Sequence, residues 1–131
     1  MDKDWIYYGV FFSQQMKNFL IERAKDIVDI PEDWTLYADH MTIVYNSGLE
    51  INELIADGLE SLLNEQLSLH ISSIGVSDEA IAFGIDNYKT QNEHSHITIA
   101  VAPGSKPVKS NNITNWMPIE GFYVNGKFGK R

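Results

Sequence analysis

Two tripeptides of one form, His40-Met41-Thr42 and His96-Ile97-Thr98, stand in separate halves of a 131-residue chain. Each opens a run of aliphatic and β-branched residues, the composition of a strand. Residues two apart in a strand face the same side, so His40, Thr42 and Val44 are expected on one face and Met41, Ile43 and Tyr45 on the other. His96, Thr98 and Ala100 repeat that order against Ile97, Ile99 and Val101. Laid side by side, two such strands would set two imidazoles around a small cavity floored by two hydroxyls. That set suits the opening of a phosphodiester, which needs a base for the attacking water and an acid for the departing oxygen. Imidazoles titrate near neutral pH and can divide the two tasks. The hydroxyls can donate to the non-bridging phosphoryl oxygens, where transition-state charge collects. No metal or other cofactor is required.

Two further histidines compete for the role. His70-Ile71-Ser72 fits a looser form, but a hairpin partner follows its strand at once, and Ser72-Ser73 replaces the aliphatic continuation. His94 lies two residues before His96 and is expected at a loop edge. A zinc site on His94 and His96 would have only Glu93 nearby as an acidic ligand, so no metal site is expected. In the loop after the second motif Lys106 and Lys109 are candidates for phosphate contact, while Phe11, Trp34 and Trp116 offer faces on which a base could stack.

The elements that must hold these groups follow from patterning. Residues 5–12, rich in aromatic and β-branched types, read as a first strand, and Ser13 offers a helix N-cap. Met16, Phe19, Leu20, Ala24, Ile27 and Val28 then recur at helical spacing up to Pro31. A strand over about 39–45 follows, and a second amphipathic helix is expected from Ile51, Leu54, Ile55, Leu59, Leu62 and Leu63. Alternation from Leu67 to Asp86, broken at Ser77-Asp78-Glu79, predicts a hairpin. Ser95 to Ala102 form another strand, Ser105 to Asn115 a loop or short helix, and Phe122 to Phe128 a terminal hairpin turning on Asn125-Gly126. Strands and helices in this order indicate one α+β domain over residues 1–131, with helices packed outside the sheet.

Composition narrows the function classes. The chain has a formal net charge of -8, which repels long polyanions, so a duplex nucleic-acid binder is not expected. A local set of donors can still capture one small phosphate. There is no cysteine, hence no disulfide and no demand for an oxidising compartment. No segment approaches the roughly 20 apolar residues of a membrane span. A cytoplasmic, monomeric protein without membrane partners is the expectation.

On its two motifs the sequence resembles the 2H phosphoesterase superfamily, most closely the cyclic phosphodiesterase domains of fungal and plant tRNA ligases and related small cyclic-nucleotide phosphodiesterases. The residues concerned are His40-Met41-Thr42-Ile43 after an amphipathic helix, then an intervening strand pair, then His96-Ile97-Thr98-Ile99 and the loop from Gly104 to Asn111. The resemblance implies a bilobal fold with two antiparallel sheets facing across a central cleft. It also implies hydrolysis of 2′,3′-cyclic phosphates, or of 2′-5′ or cyclic oligonucleotides, with a small nucleotide or an RNA end as partner. By matching position His40 and His96 would be the acid and base, and Thr42 and Thr98 the phosphate ligands. Two alternatives share the cleft: a hydrolase of cyclic or 2′-5′ oligonucleotide immune signals, as in some viral and phage members of that superfamily, and a silent nucleotide-binding module.

Overall fold

The computed structural model describes residues 7–45, 60–90 and 92–130. Its main elements are β1 (Tyr7–Phe11), α1 (Gln14–Ile27), β2 (Thr35–Leu36), β3 (His40–Tyr45), β4 (Gln66–Val76), β5 (Ala80–Ile85), β6 (His96–Val101) and β7 (Trp116–Lys130). Short 3-10 turns cover Glu60–Leu62 and Pro107–Asn112. The fold is α+β, with one antiparallel sheet of seven strands in the order β2-β6-β5-β4-β7-β1-β3. No helix among the described residues is long and apolar enough to cross a membrane.

Helix α1 starts where the sequence provides a cap: Ser13 Oγ accepts the Met16 amide at 3.1 Å, which satisfies one of the open donors of the first turn. Leu20, Ile21 and Ala24 enter the core, whereas Phe19 and Ile27 stay exposed. The second helix expected over Ile51 to Leu63 lies outside the described residues except for its end. There Glu60–Leu62 make a 3-10 turn, and Leu62 and Leu63 pack against the core.

The expected terminal hairpin is instead a single strand. β7 runs through Asn125-Gly126, pairing Asn125 with Ser68 and Gly126 with Leu67. Asn-Gly is a strong turn signal, but here the glycine answers a different need. A Cβ on Gly126 would strike the Cγ1 of buried Val10 and the ring of Phe12. The hairpin formed by β4 and β5 around Ser77-Asp78-Glu79 follows the expectation, with Ile74 opposite Phe83 and Val76 opposite Ile81.

β3 and β6 are separated by four strands in the sheet order and would lie roughly 24 Å apart in a flat sheet. They nevertheless touch, so the sheet curls on itself. The long β4–β7 pair carries an irregularity suited to such a bend, where Ile71 faces Phe122 but Ser73 faces Pro118, leaving Ile119, Glu120 and Gly121 opposite the single Ser72. Extra residues of this kind bend a strand and increase its twist.

A short connection closes the curl. Thr35 and Leu36 pair with Val101 and Ala100 of β6, and the Tyr37 and Ala38 amides donate to the carbonyls of Ile99 and Thr98, both at 2.8 Å. Ala38 then adopts φ 60, a left-handed conformation uncommon without glycine, and turns the chain away from β6 into β3. Ala38 is fully buried. Ala38→Val is expected to lower unfolding free energy by about 1–3 kcal/mol, because a β-branched residue tolerates this region poorly. Ala38→Gly should leave it unchanged or raise it, and urea midpoints of the two variants check the sign.

Candidate active site

The strand holding His40 and the strand holding His96 carry the same irregularity. Against β1, Thr42 pairs with Gly9 and Val44 with Tyr8, which leaves Ile43 as the extra residue. Against β5, Thr98 pairs with Ala82 and Ala100 with Ile81, which leaves Ile99 extra. Each His-x-Thr triplet is thus followed at once by a β-bulge. The bulges overturn strict alternation: Val44 and Ala100, expected beside the threonines, are buried together with Ile43 and Ile99. Each strand therefore gives two polar side chains to the cleft and then sinks into the core.

His40, Thr42, His96 and Thr98 line one cavity of about 470 Å³. Its volume is within the range of small-molecule sites. His40 and Thr42 share a hydrogen bond of 3.1 Å between Nε2 and Oγ1. The imidazole is packed between aromatic neighbours, with ring centroids 5.0 Å from Tyr7 and 5.7 Å from Phe11.

His96 is held differently. Its Nδ1–H donates to the main-chain carbonyl of His94 at 2.7 Å, which fixes the tautomer and leaves Nε2 as the nitrogen able to take a proton. The ring is buried, and desolvation lowers its pKa below the ordinary 6.5, opposed by the bond to the His94 carbonyl and assisted by repulsion from the His94 side chain. Such a histidine is neutral at neutral pH. Because protonation is harder in the folded state, His96 contributes stability that is present above pH 6.5 and lost as pH falls through its lower folded value. His96→Phe should therefore flatten the loss of stability below that pH, as read from urea midpoints across the acid range.

Thr98 shares a hydrogen bond of 2.8 Å with Ser110, whose side chain is buried. Around these four residues the cavity wall includes Tyr7, Tyr37, Asp39, Asn92, Lys106 and Asn111. Asp39 is tied to Lys17 of α1 at 2.9 Å, so Lys106 supplies positive charge to the cavity while this carboxylate is compensated elsewhere.

The remaining sequence candidates separate. Lys106 lines the cavity, but Lys109 does not and stands 3.9 Å from Glu79. Phe11 packs on His40 rather than forming the wall, and Trp34 packs against the core. Trp116 is stacked on His94, with centroids 3.9 Å apart and planes 9° from parallel, and borders neighbouring hollows rather than this one. His94 faces those hollows too, and burial holds its pKa below the ordinary value against the pull of Glu93. His70 lies apart: its Nδ1–H donates to Asp86 at 2.8 Å, a bond that keeps that carboxyl below the usual range.

Sequence reasoning did not select Tyr7, Tyr37, Asp39, Asn92, Asn111 or Ser110. Tyr37 and Asp39 flank the turn at Ala38, and Asn111 ends the loop that follows the second motif, so their nearness to the two motifs was the available signal. No family model matches the sequence, and no curated protein matches it.

Proposed function

We propose that the protein is a metal-independent phosphodiesterase of the two-histidine type that opens the 2′,3′-cyclic phosphate of a nucleotide or an RNA end. The observation carrying this reading is that four side chains from two strands, remote in sequence and separated by four strands in the sheet, line one small cavity. Chance packing gives no reason for two imidazoles and two hydroxyls to converge in matched positions after matched bulges. The curl of the sheet, which brings β3 against β6, supports a reading of two lobes facing across a cleft, with wall residues from β1 and β3 on one side and from β6 on the other. A cytoplasmic monomer is the proposed setting.

His96 is suited to act as base, since its burial keeps Nε2 unprotonated and its Nδ1–H is already engaged. In the proposed step it takes a proton from water as the water oxygen forms a bond to phosphorus. The bond from phosphorus to one ribose oxygen breaks, and His40 gives that oxygen a proton. Thr42 and Thr98 donate to the non-bridging oxygens, with Lys106 supplying charge nearby. The acid limb of the kcat/KM profile, which reports the free enzyme, is accordingly expected below pH 6.5, the ordinary value from which His96 is lowered. Loss of activity only above neutrality, with no acid limb, would remove His96 from this role.

The test is an assay in chelator against 2′,3′-cyclic mononucleotides, 2′-5′ oligoadenylates and cyclic dinucleotides, with product positions determined. Turnover of the 2′,3′-cyclic ends in chelator is expected. Turnover confined to the cyclic dinucleotides or 2′-5′ oligomers would move the protein to signal degradation, and binding without turnover would make it a nucleotide-binding module. Activity abolished by the chelator would overturn the two-histidine chemistry.

A further inference from the structure

We infer that a second cavity beside the histidine pair holds the base of an adjoining nucleotide, so that the substrate is an oligonucleotide end of two or more residues rather than a lone mononucleotide. The inference rests on the phosphodiesterase reading and narrows it. The second cavity, about 450 Å³, shares Asn92 and Asn111 with the cavity of the histidines. These two amides thus stand as a common wall between two spaces of similar size. A third hollow of about 600 Å³ also borders His94 and Trp116 but has no wall residue in common with the histidine cavity.

The chemistry of the second cavity differs from that of the first. It is bordered by the stacked His94–Trp116 pair, a flat aromatic body 3.9 Å between centroids. The indole is fixed, since Nε1–H donates to the Ile113 carbonyl at 3.1 Å and its six-membered ring lies over Gly75, where a Cβ would strike it. Asn92, Asn111 and Thr114 supply donors and acceptors that can meet a base edge. Glu93 is the charged residue of the wall, and Lys106 belongs to the other cavity. Such a wall repels phosphate and accepts a neutral aromatic ring, whereas the first cavity offers hydroxyls, imidazoles and a cation. A phosphate and a neighbouring base are therefore sorted between two adjoining spaces.

The two cavities are also joined through the chain. The residue whose ring forms the stack, His94, holds the His96 imidazole by its carbonyl, and Ser110, on the wall of the second cavity, bonds to Thr98 in the first. A base seated on the pair would bear on the segment that orients both catalytic side chains of β6.

The experiment compares kcat/KM for adenosine 2′,3′-cyclic phosphate and for the dinucleotide ApA carrying a terminal 2′,3′-cyclic phosphate. One stacked base is expected to favour the dinucleotide about 10-fold or more. His94→Ala keeps the main-chain carbonyl and should bring the ratio near one, whereas His94→Phe keeps an aromatic face and should retain the preference. A ratio near one in the wild type, or a ratio that His94→Ala does not change, overturns the inference. Should neither compound be opened, calorimetric titration with ApA and with adenosine monophosphate separates the two readings. Tighter binding of ApA that His94→Ala abolishes would sustain the second cavity while hydrolysis falls, and equal binding would overturn it.

Discussion

Replacing His96 with alanine is expected to lower turnover of a 2′,3′-cyclic nucleotide by about 100-fold or more, the scale of one positioned acid or base, with His40→Ala of the same order. In the proposed step the two losses arise on opposite sides of the phosphorus. His96 is buried and anchored through Nδ1, so its removal takes away the proton acceptor and leaves the His94 carbonyl without that donor. His40 is bonded to Thr42 and flanked by Tyr7 and Phe11, so its removal takes away the opposing proton carrier. With both groups acting in one displacement, as proposed, the double variant should lose far less than the product of the single losses. Thr98→Ala should cost less, and Thr98→Ser should recover much of it by restoring the hydroxyl toward Ser110. Circular dichroism and thermal unfolding of each variant separate lost chemistry from lost fold. The decisive contrary result is His70→Ala inactive and His40→Ala silent, since His70 is bound to Asp86 outside the cavity.

What was legible in the sequence is what short-range physics controls. The β-branched runs after His40 and His96 fix both strands, and the spacing of two puts histidine and threonine on a common face, as found. The serine cap, the helix behind it and the hairpin of β4 and β5 are equally local. Alternation failed one residue beyond each threonine, since a bulge is a property of two paired strands and neither Ile43 nor Ile99 signals it alone. Asn125-Gly126 misled for a related reason: the glycine answers Val10 and Phe12, which lie more than a hundred residues away in sequence. β2 has only two residues, too few for any period, yet it and Ala38 carry the chain from β6 to β3. Of two lysines in one loop, only Lys106 reaches the cavity. That choice depends on the 3-10 turn Pro107–Asn112 and on Glu79, which stands near Lys109.

Gly9→Val tests whether the cleft depends on how closely β3 approaches β1. Gly9 sits inside a strand, between Thr42 of β3 and Gly129 of β7. On intrinsic preference valine should strengthen such a position. The structure predicts the opposite sign, because a Cβ there would lie 2.8 Å from the Met41 carbonyl oxygen. That oxygen is main chain and cannot swing aside as a side chain would, so β3 must move as a body. Overpacking of this kind costs about 1–3 kcal/mol, readable as a lower urea midpoint. The strand that moves carries His40 and Thr42, while His96 and Thr98 remain on β6. A shift near 1 Å in a reacting group can cost about 100-fold in rate, so turnover should fall well beyond the loss of folded protein, at temperatures where the variant is still folded. Unchanged stability and turnover in Gly9→Val would mean that β1 and β3 do not meet as closely as described, and the placement of His40 on the same cavity as His96 would fall with that contact.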